Sequence, residues 1–334
     1  MGNRPRAQDV CSTTLNDWEV PLMAHVTFVH GIGNKPPRED LLRHWRTALL
    51  VDDGLDLEDL GVTSSMVYWA DLLYESPAPV EAGNESNELE LEQTFDAGDA
   101  DLTWLDDVPP QERELVEGLA QSLGIADIDG TVGGPDQVMS DSPLEAVPLP
   151  GIIKKPLMRV LLRDVHHFLF DAPFSLRPGE TVHVRQEIRR RILDALLEAD
   201  EHPGPHVLMG HSLGSVIAYD ALTAVEGAPR IDAFVTIGSP LGISEVQEGL
   251  TPPWTRHDGW PRANLGPGGW ANFYDPLDPV CGGLDRLLAP DFRRAGGKHV
   301  LDVHVTNTGS WRHSAEKYLG QGALRDWLED ATSP

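Results

Sequence analysis

Two cysteines in 334 residues, Cys11 and Cys281, are too few for a disulfide framework, and neither stands in a metal-ligand spacing. Such usage fits a reducing compartment. Bases are scarce as well: 26 Lys and Arg face 53 Asp and Glu, for a net charge of −27. That balance argues against nucleic acid or an anionic membrane surface as an electrostatic partner. Long apolar runs are missing, and none approaches the roughly 20 residues a membrane-spanning helix needs. Met1 to Val20 carries Arg4, Arg6, Asp9 and Asp17 but no apolar core of a signal peptide. The expectation is a cytoplasmic protein with no transmembrane segment, its convincing structure starting after Met23.

What is present is unevenly spread. From Glu75 to Pro148 there are 19 acidic residues and one base, Arg113, so this stretch holds about two thirds of the net charge. Its Gly, Ser, Asn and Pro content leaves little apolar surface to offset chain entropy. Residues 75–148 are therefore read as a mobile acidic insertion in one domain spanning 1–334. A short helix is expected around Pro110 to Leu123, where Leu115, Leu119 and Leu123 recur at spacing four. A solvated surface loop is favoured over a lid, and a protein partner could engage the acidic segment.

Elsewhere strand and helix patterns alternate. Strands are expected at Ala24–Gly31, Ser64–Leu72, His206–Ser212, Ala233–Pro240, Trp270–Asp275 and His299–Val305. Helices are expected at Arg38–Val51, Leu157–Phe170 (amphipathic), Val182–Ala199 and Leu213–Val225, with a closing helix from about Ser314 to Leu328. Such alternation predicts an α/β fold, a mostly parallel central sheet with helices on both faces.

The strongest motif is GHSLGS, Gly210 to Ser215, which contains G-x-S-x-G. An apolar strand runs into it and an apolar-faced helix follows at once, the setting of a strained turn that exposes a nucleophilic serine. Ser212 is the candidate nucleophile. Gly210 and Gly214 stand where side chains would collide across the turn. Acyl transfer also needs two backbone donors for the developing oxyanion. Leu213, next after the serine, is one candidate, and Ile32, in VHGIGN after the first strand, is the other. The turn is too short for a phosphate-binding loop, so nucleotide binding is not expected.

An acid and then a histidine should follow the serine along the chain. YDPLDPV offers Asp275 and Asp278; Asp278 is assigned as the acid and Asp275 as a turn cap. His304 lies inside an expected strand as a packed residue. His313 lies in the loop after it, where an imidazole can reach the serine, and is assigned as the base. His30 is read as structural, a hydrogen-bonding neighbour of the VHGIGN turn. His166 and His167 are adjacent on a helix and show no metal spacing.

These four signals, VHGIGN, GHSLGS, DPLDPV and GSWRHSAEKYL, resemble the α/β-hydrolase superfamily, and more narrowly its lipase and serine-esterase branches. GHSLGSVIAYDAL, FVTIGSPLG and NFYDPLDPV are similar to the catalytic core of intracellular phospholipases of the A1 type. The likeness covers roughly Ala24 to Leu72 and Leu157 to Leu319. It implies Ser212, Asp278 and His313 as a triad and a small-molecule or lipid ester as substrate. No metal or organic cofactor is called for. Acyl transfer, or thioester or amide cleavage, would use the same residues, and a non-catalytic binding protein acting through the acidic segment is a further alternative. The Trp-rich stretch Thr251 to Trp270 is read either as an acyl-pocket wall or as packing.

Overall fold

The computed structural model describes residues 23–80, 103–123, 151–251, 255–261, 264–283, 286–294, 297–309 and 311–333, with side chains from residue 159 onward in the helix that begins at 151. Residues 1–22, 81–102 and 124–150, which include Cys11 and most of the acidic stretch, lie outside the described residues.

Parallel strands carry the fold. They are β1 (His25–Val29), β2 (Thr63–Val67), β5 (His206–His211), β6 (Ile231–Ile237), β7 (Leu265–Tyr274) and β8 (Leu301–His304). They lie in the order β2-β1-β5-β6-β7-β8, every neighbouring pair parallel. Two short strands, β3 (Pro173–Phe174) and β4 (Val182–His183), form a separate antiparallel pair. β1 and β5 read as continuous apolar segments because both of their faces are covered. Val26, Phe28, Val207 and Met209 point into one hydrophobic cluster, while Val29 and Leu208 point into another.

The first cluster is closed by helices α1 (Arg38–Leu50), α7 (Ala315–Leu319) and α8 (Gly322–Thr332), through Leu41, Trp45, Leu49, Tyr318, Leu324 and Leu328. The second is closed by α2 (Pro110–Ser122), α3 (Gly151–Leu169), α4 (Val184–Asp200) and α5 (Leu213–Ala224). Helix α6 (Ser244–Glu248) adds Val246 to the same side. Six parallel strands between two helical layers make an α/β architecture consistent with an α/β-hydrolase-like fold.

Several expected elements change on folding. The second strand stops at Val67, because the Trp69 amide turns away to donate to His30 Nε2 at 3.0 Å; Ala70–Leu72 is a 3₁₀ turn. The closing helix breaks in two at Gly320, whose N–H caps Glu316. Helix α3 starts six residues before its expected beginning, and from Val160 to Leu169 every side chain is buried. The solvent face that an amphipathic reading assigns to it is covered by α2, whose Leu119 lies in the core together with Leu123 just past its end. Within the described part of the acidic stretch, Pro110–Ser122 is thus a docked helix and not a solvated loop. His304, expected to be packed, is exposed on the edge strand β8.

Candidate active site

All parallel strands end on one edge of the sheet, where crossover folds place their ligand-handling loops. Ser212 stands at the end of β5, at the entrance of α5. Its backbone is at φ 52° and ψ −130°, a conformation that costs a non-glycine residue about 1–3 kcal/mol. Its N–H donates to the Ile237 carbonyl at 3.1 Å, and the Ser215 amide and hydroxyl both donate to its carbonyl. The two glycines of the motif are steric requirements. A Cβ on Gly210 would lie 2.6 Å from the Gly214 carbonyl oxygen, and one on Gly214 would lie 2.2 Å from that of Val29.

His313 reaches Ser212 from the loop after β8. Its Nε2 is 2.9 Å from Ser212 Oγ, and its Nδ1 is 2.9 and 3.0 Å from the two carboxylate oxygens of Asp278. With Asp278 ionised, Nδ1 carries the proton and Nε2 is left to accept from the serine hydroxyl. Burial works against the Asp278 charge. The imidazole, the Tyr318 hydroxyl (2.7 Å) and the Val280 amide (2.8 Å) outweigh it and hold the carboxyl well below its usual range. All three side chains are almost wholly buried.

Asp275 does the other work expected at this turn. It accepts from the Leu277 and Asn307 amides and from Arg312 at 3.0 Å, tying the loop that carries His313 to the end of β7. Three further residues shape the site and went unread in the sequence. Tyr318 accepts from the Asp275 amide while donating to Asp278. Gly238, at φ 57°, lies under the His313 ring, where a Cβ would come within 3.1 Å. His211 donates from Nε2 to the His313 carbonyl at 2.9 Å.

Comparison with known proteins adds little to this geometry. No protein-family model matches the sequence, and no curated protein sequence matches it. Among solved structures it is similar to one titled "RedJ with PEG molecule bound in the active site", at 14% identity and a TM-score of 0.33, over 99% of this chain and 95% of that one.

The turn after β1 abuts the serine. A Cβ on Gly31 would fall 2.7 Å from Ser212 Cβ. His30 is wholly buried and stacks on Trp69 with ring centroids 4.8 Å apart. Because its Nε2 accepts from the Trp69 amide, its Nδ1 carries the proton and donates to the Gly31 carbonyl at 2.8 Å. Two residues on, the Gly33 amide donates to Asp164 Oδ2 at 2.8 Å. Asp164 also accepts from Tyr74 and from Arg163, and burial pushes its carboxyl up against the pull of these partners. Among the described residues, neither the Ile32 amide nor the Leu213 amide donates to the protein itself.

Trp260 and Trp270 pack in the core beside Tyr219, Phe234 and Phe292, so that stretch is scaffold where it is described; Trp254 lies outside the described residues. Cys281 is buried, with its thiol pushed up first by burial and then by the Asp278 charge. His166 pairs with Glu112 at 2.8 Å, and among the described residues no cluster of three or more His, Cys, Asp or Glu could hold a metal ion. No described helix is long and apolar enough to cross a membrane.

Proposed function

We propose that this chain is a serine hydrolase that cleaves carboxylic esters through an acyl-serine intermediate. The observation that supports it is the continuous chain Ser212–His313–Asp278, with contacts of 2.9 Å at each link and the serine held in a strained turn. Ser212 Oγ attacks the ester carbonyl carbon as its proton passes to His313 Nε2. Asp278 stays ionised, orienting the ring and stabilising its charged form. The carbonyl oxygen, now negative, takes hydrogen bonds from the Ile32 and Leu213 amides at the positive end of α5. When the C–O bond breaks, the imidazolium returns its proton to the leaving alcohol. A water molecule, deprotonated by the same imidazole, then releases the acid and regenerates Ser212. Lipid esters fall within this chemistry, although the chain's charge disfavours an anionic bilayer as their source.

The decisive experiment is labelling with a fluorophosphonate probe, run beside hydrolysis of short- and long-chain p-nitrophenyl esters. Both are expected in the wild-type protein, and Ser212→Ala should lose labelling entirely and turnover by about 10³-fold or more. A well-folded wild type that neither labels nor turns over would refute the proposal.

A further inference from the structure

We propose that Asp164 is a positioning residue that holds the Ile32–Gly33 peptide and so keeps the neighbouring Ile32 amide in register, with Arg163 holding its carboxylate in place. The inference rests on the reading of Ser212 as an acyl-transfer nucleophile. A peptide unit is planar and trans, so its N–H points opposite to its C=O. His30 holds the Gly31 carbonyl and so directs the Ile32 N–H of the same plane. Nothing on β1 holds the next plane, Ile32–Gly33. It is fixed from helix α3, 131 residues away, by the 2.8 Å bond from the Gly33 amide to Asp164.

Asp164 itself has no freedom to follow a moving turn. Its side chain is wholly buried, Oδ1 accepts from Arg163 Nε and Nη2 at 3.2 and 3.1 Å, and the Arg163 guanidinium lies 4.9 Å above the Tyr74 ring. A buried ion pair is a weak source of net stability, since desolvation offsets most of the attraction. A geometric role accounts for this one. Gly33 at φ 83° can adopt a rotated peptide at low cost, so without an acceptor the Ile32–Gly33 plane is free to turn and take Ile32 out of register.

The test compares Asp164→Ala with Asp164→Asn, whose amide oxygen can still accept from Gly33. Deleting an oxyanion donor outright costs about 10²–10³ in kcat, so displacing one should cost about 10 to 100-fold. Asp164→Ala is expected to lose that much kcat with KM little changed. It should lose affinity for a trifluoromethyl ketone, which forms a tetrahedral adduct with serine, by the same factor. Asp164→Asn should lose clearly less than Asp164→Ala, because Gly33 keeps an acceptor even though the Asn NH2 cannot accept from Arg163. Because Asp164→Ala removes a buried ion-pair partner of Arg163 and could fail to fold, the double variant R163M/D164L serves as a second, apolar replacement of the pair, with the same losses expected. Hydrogen exchange of the peptide covering 29–36 is followed in parallel and should quicken in both variants. Wild-type kcat, inhibitor affinity and exchange in a folded Asp164→Ala or R163M/D164L protein would overturn the proposal, as would equal losses in the Asn and Ala variants. If the wild-type protein does not react with fluorophosphonate, the hydrolase reading fails on its own. Exchange then still decides the clamp: faster in the variants supports it, unchanged rejects it.

Discussion

A glycine with a positive φ is worth most where something functional lies against it. Gly238 meets both conditions, with φ 57° and the His313 and Tyr318 rings within about 3.2 Å of where a Cβ would stand. Gly238→Ala should lower stability by about 1–2 kcal/mol from backbone strain. It should cost more in catalysis, about 10 to 100-fold in kcat, because the imidazole is pushed off the serine. Kinetics alongside denaturant unfolding would separate the two effects, and wild-type turnover in the variant would remove Gly238 from the site. The grouping of Ser212, Asp278 and His313 is legible in the sequence because the chemistry proposed for them calls for fixed residue types, local setting and order along the chain. Gly238, Tyr318 and Asp164 are not. Each acts on a partner that only tertiary folding brings near, and no local pattern marks a glycine beneath a ring or a carboxylate beneath a distant turn.

At the scale of elements, α2 corrects the composition-based reading most. It lies in the most acidic part of the chain, yet Val116, Leu119 and Ala120 are buried against the second cluster. Its ends are tied down too: Glu112 bonds His166 of α3, Ser122 bonds Glu245 of α6, and the Ser122 carbonyl accepts from Arg286. Leu119→Ala should therefore cost about 2–4 kcal/mol in urea unfolding. A residue on a solvated loop would change it by about 0.5 kcal/mol or less. The spacing-four leucines announce this helix, but net charge hides its docking, since charges on one face say nothing about what the opposite face buries. Helix α3 fails in the mirror sense. Its polar residues suggest an exposed face, whereas Arg163, Asp164 and His166 find partners inside the protein.

For the whole molecule, acid sensitivity follows from buried imidazoles. His25 and His206, at the starts of β1 and β5, and His167 on α3 are each pushed down to about 4, first by burial and then by neighbouring imidazoles, with Arg163 adding to the effect at His167. The unfolded chain takes up these protons near pH 6.5 while the folded chain does not. Stability is therefore full above about pH 6.5 and is lost as pH falls toward 4. By pH 5 the loss should be about 1–2 kcal/mol for each imidazole. Thermal unfolding between pH 7 and 5, above most carboxylate titration, should show a falling midpoint, with a smaller slope in the H25N/H206N variant. A flat profile would mean that these rings are solvated. The net charge of −27 is easily read, but this behaviour is not, because burial and not composition sets it.

The site draws its parts from the ends of β1, β5, β7 and β8, so its members lie far apart along the chain; Ser212 and His313 are separated by 101 residues. Synthesis runs in the opposite sense to need. The turn at 30–33 is made first, the serine much later, and the imidazole only after β8 has been added. A nascent chain that has folded β1 through β6 would hold Ser212 beside its sheet neighbours with neither acid nor base at hand. On the function proposed for Ser212, its chemistry would wait on the docking of the segment that carries Asp278 and His313.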